Sequence, residues 1–267
     1  MLSPQNIRFV IFSSYGNDIC ALIQWAHEWE IEGVAVVYSD TGWATVGWEA
    51  RVTKKEEWVR SLGFTPHRTT SIGFRQLARD KKGFPTQRYQ WCSYVLKIEP
   101  GMRWLEENDP NKSAICIIGA RRDEAAPGPE TTRAKFPEYL VRSENHGGRM
   151  MLAPMVDFDA AARDALLIRA GVKPLPHRSG EFKCINANKA DMRRYSEEDI
   201  QEIEAAEVEV NRPMYRPHRH MGAAGIRQVI RWAHSDRGKY IPEPEPETCN
   251  SGWCEQIGGI AGIIRRT

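Results

Sequence analysis

The strongest constraint on this chain lies near its start. A short β-branched and aromatic run from Ile7 to Phe12 breaks into the polar turn Ser13-Ser14-Tyr15-Gly16-Asn17-Asp18, and a helix-like stretch from Ile19 to Glu30 follows. Strand, polar turn and helix in that order are the building unit of a parallel sheet covered by helices. The unit recurs. An apolar run from Gly33 to Tyr38 ends at Asp40-Thr41-Gly42 and leads into a helical stretch from Trp48 to Leu62. A third strand is expected at Thr65 to Thr69, ahead of a basic, aromatic loop at Phe84 to Trp91. Ser113 to Ile118 reads as a buried strand ending in Gly119-Ala120-Arg121-Arg122. The expected fold is α/β, a Rossmann-like parallel sheet with helices on both faces. In such a fold ligands bind beyond the carboxyl ends of the strands, where these polar turns fall.

The second half is less periodic. From Asp123 to Arg149 the chain is rich in Pro, Gly, Glu and Arg and is expected to form a long surface loop or lid. Asp157 to Ala170 reads as helical, and Lys189 to Val210 as one charged amphipathic helix. Pro242 to Pro246 is expected to be extended, because alternating prolines fix φ and remove donors. This divides the chain into an α/β domain over residues 1–175 and a helical, cysteine-bearing part over 176–267.

Charge and apolar patterning exclude some classes. A net charge of +2 gives no global field for nucleic acid, although the basic stretch around His218 and His220 is a local cluster, most simply solvated. No apolar run approaches the length of a membrane span. The first residues lack a basic start, an apolar segment and a cleavage site, so a cytoplasmic location with no membrane partner is expected. The six cysteines are then thiols or metal ligands rather than a disulfide framework.

A strand-to-helix turn presents unpaired backbone N–H groups and the positive end of a helix dipole, which suits a phosphate. Ser13, Ser14, Gly16, Asn17 and Asp18 line that turn. Ser, Asn and Asp are also the preferred helix caps, so a plain capped helix start stays open from the turn alone.

The turn Ser14-Tyr15-Gly16-Asn17-Asp18-Ile19 resembles the Ser-Gly-Gly-X-Asp-Ser loop of PP-loop ATP pyrophosphatases, in particular their phosphoadenosine-phosphosulfate-reductase-like branch. Further segments match in order: Asp40-Thr41-Gly42, then Trp91 to Pro100, then Ile118 to Glu124. Cys184 to Lys189 and Cys249 to Cys254 resemble the cysteine-bearing tail of bacterial and phage members. Tyr15 departs from the family by replacing the first loop glycine, and Ile19 by replacing the last serine. The resemblance implies an adenine nucleotide alpha-hydrolase-like fold and a site for ATP with Mg2+. Ser14, Gly16 and Asp18 would hold the phosphates, and Asp40, Thr41 and Gly42 would lie near the adenosine. Lys97 and Arg121 would neutralise phosphate or leaving-group charge, a need set by the chemistry of attack at an α-phosphate. Solvated surface charge is the alternative reading of both.

Cys116 lies inside an apolar strand and Cys20 on the first helix, so both are expected to pack as small core residues. Cys92, Cys184, Cys249 and Cys254 sit in polar, irregular contexts. Four thiolates suit a [4Fe–4S] cluster or a structural zinc, with the cluster preferred. No Cys-X-X-Cys pair supports either, and Glu181 stands where family members often carry a cysteine, so four separate thiols remain an alternative.

Three functions follow. The first is ATP cleavage between the α- and β-phosphates to adenylylate an acceptor for sulfur transfer. Its closest resemblance is to DNA-phosphorothioation enzymes, with a cysteine desulfurase as sulfur donor and DNA or a DNA-modification complex as partner. The second is reduction of a phosphoadenosine or adenosine phosphosulfate. That branch ends in a Glu-Cys-Gly-Leu-His-like tail, whereas here Cys254 is followed by Glu255-Gln256-Ile257 and the chain ends without cysteine. The third is a non-catalytic nucleotide-binding subunit, suggested by Tyr15 and Ile19.

Overall fold

The computed structural model describes residues 7–86, 88–124, 140–176, 183–215 and 224–237. Its centre is a six-stranded sheet in the order β3-β2-β1-β4-β6-β5. The strands are β1 (Phe9–Ser13), β2 (Val34–Asp40), β3 (Thr65–Thr70), β4 (Ile115–Ile117), β5 (Val141–Ser143) and β6 (Arg149–Leu152). All neighbours pair in parallel except β5, which runs antiparallel to β6 at the edge.

Side chains alternate between the faces of a strand, so a strand covered on both sides reads as a continuous apolar run. Phe9, Ile11, Val34, Val36, Ile115 and Ile117 enter one core, with residues of helices α1 (Asn17–Glu28), α2 (Trp48–Ser61) and α6 (Ala160–Arg169). Val10, Ala35, Val37 and Cys116 enter the core on the opposite face, against Trp104 and Leu105 of α5 (Glu99–Asn108). Cys20 and Cys116 are fully buried, as expected of core thiols.

A third core joins segments far apart in sequence. Trp43, Phe74 and Leu77 of α3 (Phe74–Asp80), Trp91 of the short α4 (Trp91–Ser93) and Leu96 pack with Met192 of α7 (Lys189–Met192), Ile200 and Ile203 of α8 (Glu197–Val210), and Val229 of α9 (Ile226–Ala233). Stacked rings bind it together: Trp43 lies 4.6 Å from Phe74, and Phe74 5.7 Å from Trp91.

Two expectations are corrected. The loop expected from Asp123 to Arg149 contains β5 and the first residue of β6, while residues 125–139 lie outside the described set. The strand was hidden because β5 is a polar edge segment, Val-Arg-Ser, and β6 opens on a charge. That charge, Arg149, is buried beside Asp109, its Nε donating to Oδ2 at 2.6 Å. The single helix expected over Lys189 to Val210 is two. Ser196 caps α8 by accepting from the Asp199 N–H, and Asp199 bonds back to the Ser196 N–H, so the chain leaves α7 and restarts.

Candidate active site

The strands after β1 lead to β2 on one side and β4 on the other, so the crevice between their carboxyl ends is the switch point at which ligands collect in open α/β sheets. The turn from Ser13 to Asp18 stands there. Ser13 Oγ accepts the Tyr15 N–H at 3.0 Å, and Ser14 Oγ accepts the Gly16 N–H at 3.4 Å. Tyr15, with φ +52°, takes the left-handed conformation that a glycine would take more easily. Burial offsets that cost: its ring is fully enclosed and stacks 5.8 Å from Tyr38, and its carbonyl accepts from Arg51 Nε at 3.1 Å. Burial also pushes the Tyr15 phenol above its ordinary value, with Glu56 adding to the effect. Gly16 is the N-cap of α1 and has no side chain to satisfy the first-turn amides.

Asn17 and Asp18 are committed to the protein. The Asn17 side chain donates to the Leu175 carbonyl at 2.9 Å and accepts the Leu175 N–H at 2.8 Å, closing the turn against the segment after α6. Asp18 Oδ1 accepts Arg121 Nε at 2.7 Å and lies 3.7 Å from Arg163 on α6. Arg121 is buried and also donates to Asp123 at 2.6 Å. Gly119 makes the approach feasible, since a Cβ there would stand 3.3 Å from the Asp18 carbonyl.

Asp40, Thr41 and Gly42 form a turn rather than an open wall. Asp40 Oδ1 accepts the Gly42 N–H at 2.8 Å, and the Thr41 carbonyl accepts the Phe74 N–H at 2.9 Å. Trp43 then donates from Nε1 to the Lys183 carbonyl at 2.9 Å.

An open cleft of about 950 Å³ runs from Ser13 and Ser14 along the α5 face of the sheet. Ser13, Ser14 and Lys97 line it, with Phe12, Ser39, Met102 and His146 among the other walls. Asp18, Arg121 and Asp40 to Gly42 do not. Lys97 sits on a π-helical turn, Tyr94–Ile98, between α4 and α5. The wide turn falls just before Pro100, which has no N–H to give to a regular ladder. The Lys97 carbonyl accepts from Ser39 Oγ at 3.2 Å, fixing the turn to the end of β2. At Gly101 a Cβ would come within 2.7 Å of the Phe12 ring, so glycine lets α5 approach β1 and close one side of the cleft.

Sequence reasoning missed Ser39, Arg163 and His146. Ser39 was accessible from the rule that binding groups follow parallel strands, because it immediately precedes Asp40. His146 stands on a 3-10 turn between β5 and β6, held by a 2.8 Å contact between its Nδ1 and Ser143 Oγ; burial and nearby Arg149 lower its pKa. Nothing in the local sequence announces it.

Among the four singled-out cysteines, Cys92 and Cys184 belong to the described residues, and both are half-buried. They flank the third core. Asn186 Nδ2 donates to Gln90 Oε1 at 3.1 Å, joining the two cysteine turns, and the Asn186 N–H donates to Cys184 Sγ at 3.4 Å. Burial, with the Cys184 thiol adding to it, pushes the Cys92 thiol up. Cys249 and Cys254 lie outside the described residues, as do Glu181, His218, His220 and the run from Pro242 to Pro246. Among the described residues no group of three or more His, Cys, Asp or Glu gathers as a metal site, and no helix is long and apolar enough to cross a membrane.

The chain is similar to several known proteins. An uncharacterized protein of Methanocaldococcus jannaschii is 26% identical over 112 residues, covering 42% of this chain and 22% of that protein. The chain thus spans about a fifth of that relative's length. The phosphate complex of phosphoadenylyl-sulfate reductase from Candida auris superposes with a TM-score of 0.44 at 16% identity, over 68% of this chain and 84% of the other. Residues 8–185 match the phosphoadenosine phosphosulfate reductase domain, from the first residues of the sheet to the Cys184 turn, and the chain belongs to that family, within the PP-loop superfamily.

Proposed function

We propose that the chain is a PP-loop ATP pyrophosphatase that activates an acceptor for sulfur transfer. The observation that carries this reading is the meeting of Ser13, Ser14 and Lys97 in one cleft at the switch point of the sheet. An adenosine nucleotide would lie in the cleft with its phosphates toward Ser14, Gly16 and the first amides of α1. An acceptor oxygen attacks the α-phosphorus, a new P–O bond forms, and the bond to the β-phosphate oxygen breaks. Pyrophosphate leaves carrying the electron pair. Lys97 and the α1 amides neutralise the charge that builds on it. A persulfide sulfur, delivered by a cysteine desulfurase, then bonds to the acceptor as the bond to the AMP oxygen breaks and AMP leaves, and a thiol reductant cleaves the remaining S–S bond; DNA is the proposed class of acceptor. Cys92 and Cys184 would supply two soft donors to an iron–sulfur cluster, or to zinc, completed by Cys249 and Cys254.

A second reading, reduction of an adenylyl sulfate, is favoured by the ion pair of Asp18 with Arg121. Adenosine 5′-phosphosulfate carries less charge than ATP and places less demand on cations at the turn. In that reaction a cysteine thiolate takes the sulfonate from the nucleotide, AMP leaves, and a dithiol such as thioredoxin releases sulfite. Incubation of the full chain with ATP, and separately with adenosine 5′-phosphosulfate or its 3′-phosphorylated form plus thioredoxin, distinguishes the readings. Pyrophosphate release supports the first and sulfite release the second. Nucleotide binding with neither product leaves a non-catalytic subunit, and failure of Ser14→Ala and Lys97→Met to weaken binding overturns the site.

A further inference from the structure

The resemblance that brings ATP to this fold also brings Mg2+, and Asp18 is the one carboxylate of the turn from Ser13 to Asp18 that could hold it. We infer instead that Asp18 is a positioning residue held by Arg121, and that the start of α1 receives its nucleotide without a divalent cation on Asp18. The nucleotide part of this inference rests on the proposed function; the metal part does not.

Asp18 faces two guanidinium groups. Arg121 Nε donates to its Oδ1 at 2.7 Å, and Arg163 Nη1 lies 3.7 Å from the same atom. Arg121 is not a loose side chain that a metal would push aside. It is 3% exposed, its Nη1 donates to Asp123 at 2.6 Å, and the same nitrogen reaches the Phe158 carbonyl at 3.5 Å. Arg163 is anchored through Nε to Asp164 at 2.7 Å.

Mg2+ takes oxygen ligands at about 2.0–2.1 Å and is usually held by one or two carboxylates together with substrate phosphates. A cation bound to either oxygen of Asp18 would stand within a few ångströms of the Arg121 guanidinium and meet like-charge repulsion. The carboxylates that might screen it, Asp123 and Asp164, are already engaged by Arg121 and Arg163. No second acidic ligand set gathers there among the described residues. The residues present do not fit a resident magnesium.

The same contacts define what Asp18 does. It ties the first turn of α1 to the segment after β4, where Arg121 also reaches Asp123 and the Phe158 carbonyl. Asp18 therefore fixes one wall of the crevice, and phosphate charge falls to the α1 amides and Lys97.

The test uses the full chain and two probes. Mn2+ alone, followed by its paramagnetic resonance signal, reads a metal site without nucleotide. ATP affinity, measured by calorimetry in EDTA and in excess Mg2+, reads metal dependence. The wild-type chain is expected to lack any Mn2+ site that Asp18→Asn removes, and its ATP affinity should differ by less than about threefold between the two conditions. Arg121→Gln should create an Mn2+ site that the further change Asp18→Asn abolishes; Arg163→Gln, farther from the carboxylate, serves if that variant does not fold. An Mn2+ site in the wild type that disappears in Asp18→Asn overturns the inference. So does an affinity loss of about tenfold or more in EDTA that Asp18→Asn no longer displays. If ATP binds under neither condition, the proposed function fails, while the Mn2+ measurement still decides the role of Asp18.

Discussion

Two aspartate–arginine pairs of the same chemistry stand in this molecule and serve different ends. Asp109 and Arg149 lie at the amino ends of β4 and β6, with side chains 4% and 1% exposed. Asp18 and Arg121 lie by the carboxyl ends, where the arginine is 3% exposed but the aspartate 23%. The first pair is closed on itself. Arg149 donates to the Leu105 and Asp109 carbonyls as well as to the carboxylate, and Asp109 accepts the N–H groups of Ser113 and Ala114. It joins the end of α5, the entry to β4 and the start of β6. The second leaves one acid partly open to solvent beside the candidate site. The first pair keeps both charges inside the protein, whereas the second leaves its carboxylate within reach of water.

The comparison breaks first at Arg149. Removing one partner of a buried, hydrogen-bonded pair leaves an uncompensated charge, so Arg149→Met should lower unfolding stability by roughly 3–5 kcal/mol. Chemical denaturation measures it through the midpoint at constant slope. A loss below about 1 kcal/mol, the range of exposed pairs, would mean that the pair is not structural.

Acid should do part of the same work. Burial alone would raise the Asp109 carboxyl, but Arg149, the Ser113 and Ala114 amides and the Ser113 hydroxyl together hold it below its usual range. A carboxyl depressed on folding stabilises the protein above its unfolded pKa, and that contribution disappears as pH falls through the folded value. Stability followed by circular dichroism should therefore drop on the acid side of the ordinary carboxylate range. The drop attributable to this group should vanish in Asp109→Asn.

Arg121→Gln should cost less, about 1–3 kcal/mol, because the Asp18 carboxylate left behind can hydrate. Its larger signature is expected in nucleotide affinity, since the wall carrying Gly119 to Asp123 loses its tie to α1. A stability loss equal to that of Arg149→Met would erase the distinction between the pairs.

The contrast also marks what the sequence could reveal. β1, β2 and β4 announce themselves because apolar residues fill both faces, and the turn from Ser13 to Asp18 because a polar run interrupts the apolar pattern between β1 and α1. Arg149 looked like the end of a polar loop. Its burial depends on Asp109, forty residues earlier, and no local pattern encodes that partnership. The same holds for Asn17, whose amide meets Leu175 across 158 residues, and for Lys183, fully buried over the Trp43 ring and paired with Asp199. Other features were legible and went unread. Ser196 with Asp199 is a capping-box signature that divides α7 from α8, and Pro100 warned of an irregular helix at Lys97.

The smallest expected effect is at Gly119, and it probes the second pair without touching either charge. A methyl group there would stand 3.3 Å from the Asp18 carbonyl and 3.4 Å from Ile19 Cδ1. Ile19 can turn away, but the Asp18 carbonyl belongs to the first turn of α1. Gly→Ala restricts the unfolded chain and gains about 0.4–1 kcal/mol, whereas overpacking costs about 1–3 kcal/mol. The contact is only slightly short, so the two nearly cancel, and Gly119→Ala should change stability by less than about 1 kcal/mol. Nucleotide binding should respond more, because the methyl moves the segment leading to Arg121 away from α1 and lengthens the contact with Asp18. Paired measurements of denaturation midpoint and ATP affinity test this. Unchanged affinity alongside unchanged stability would mean that the spacing between β4 and α1 does not govern the site.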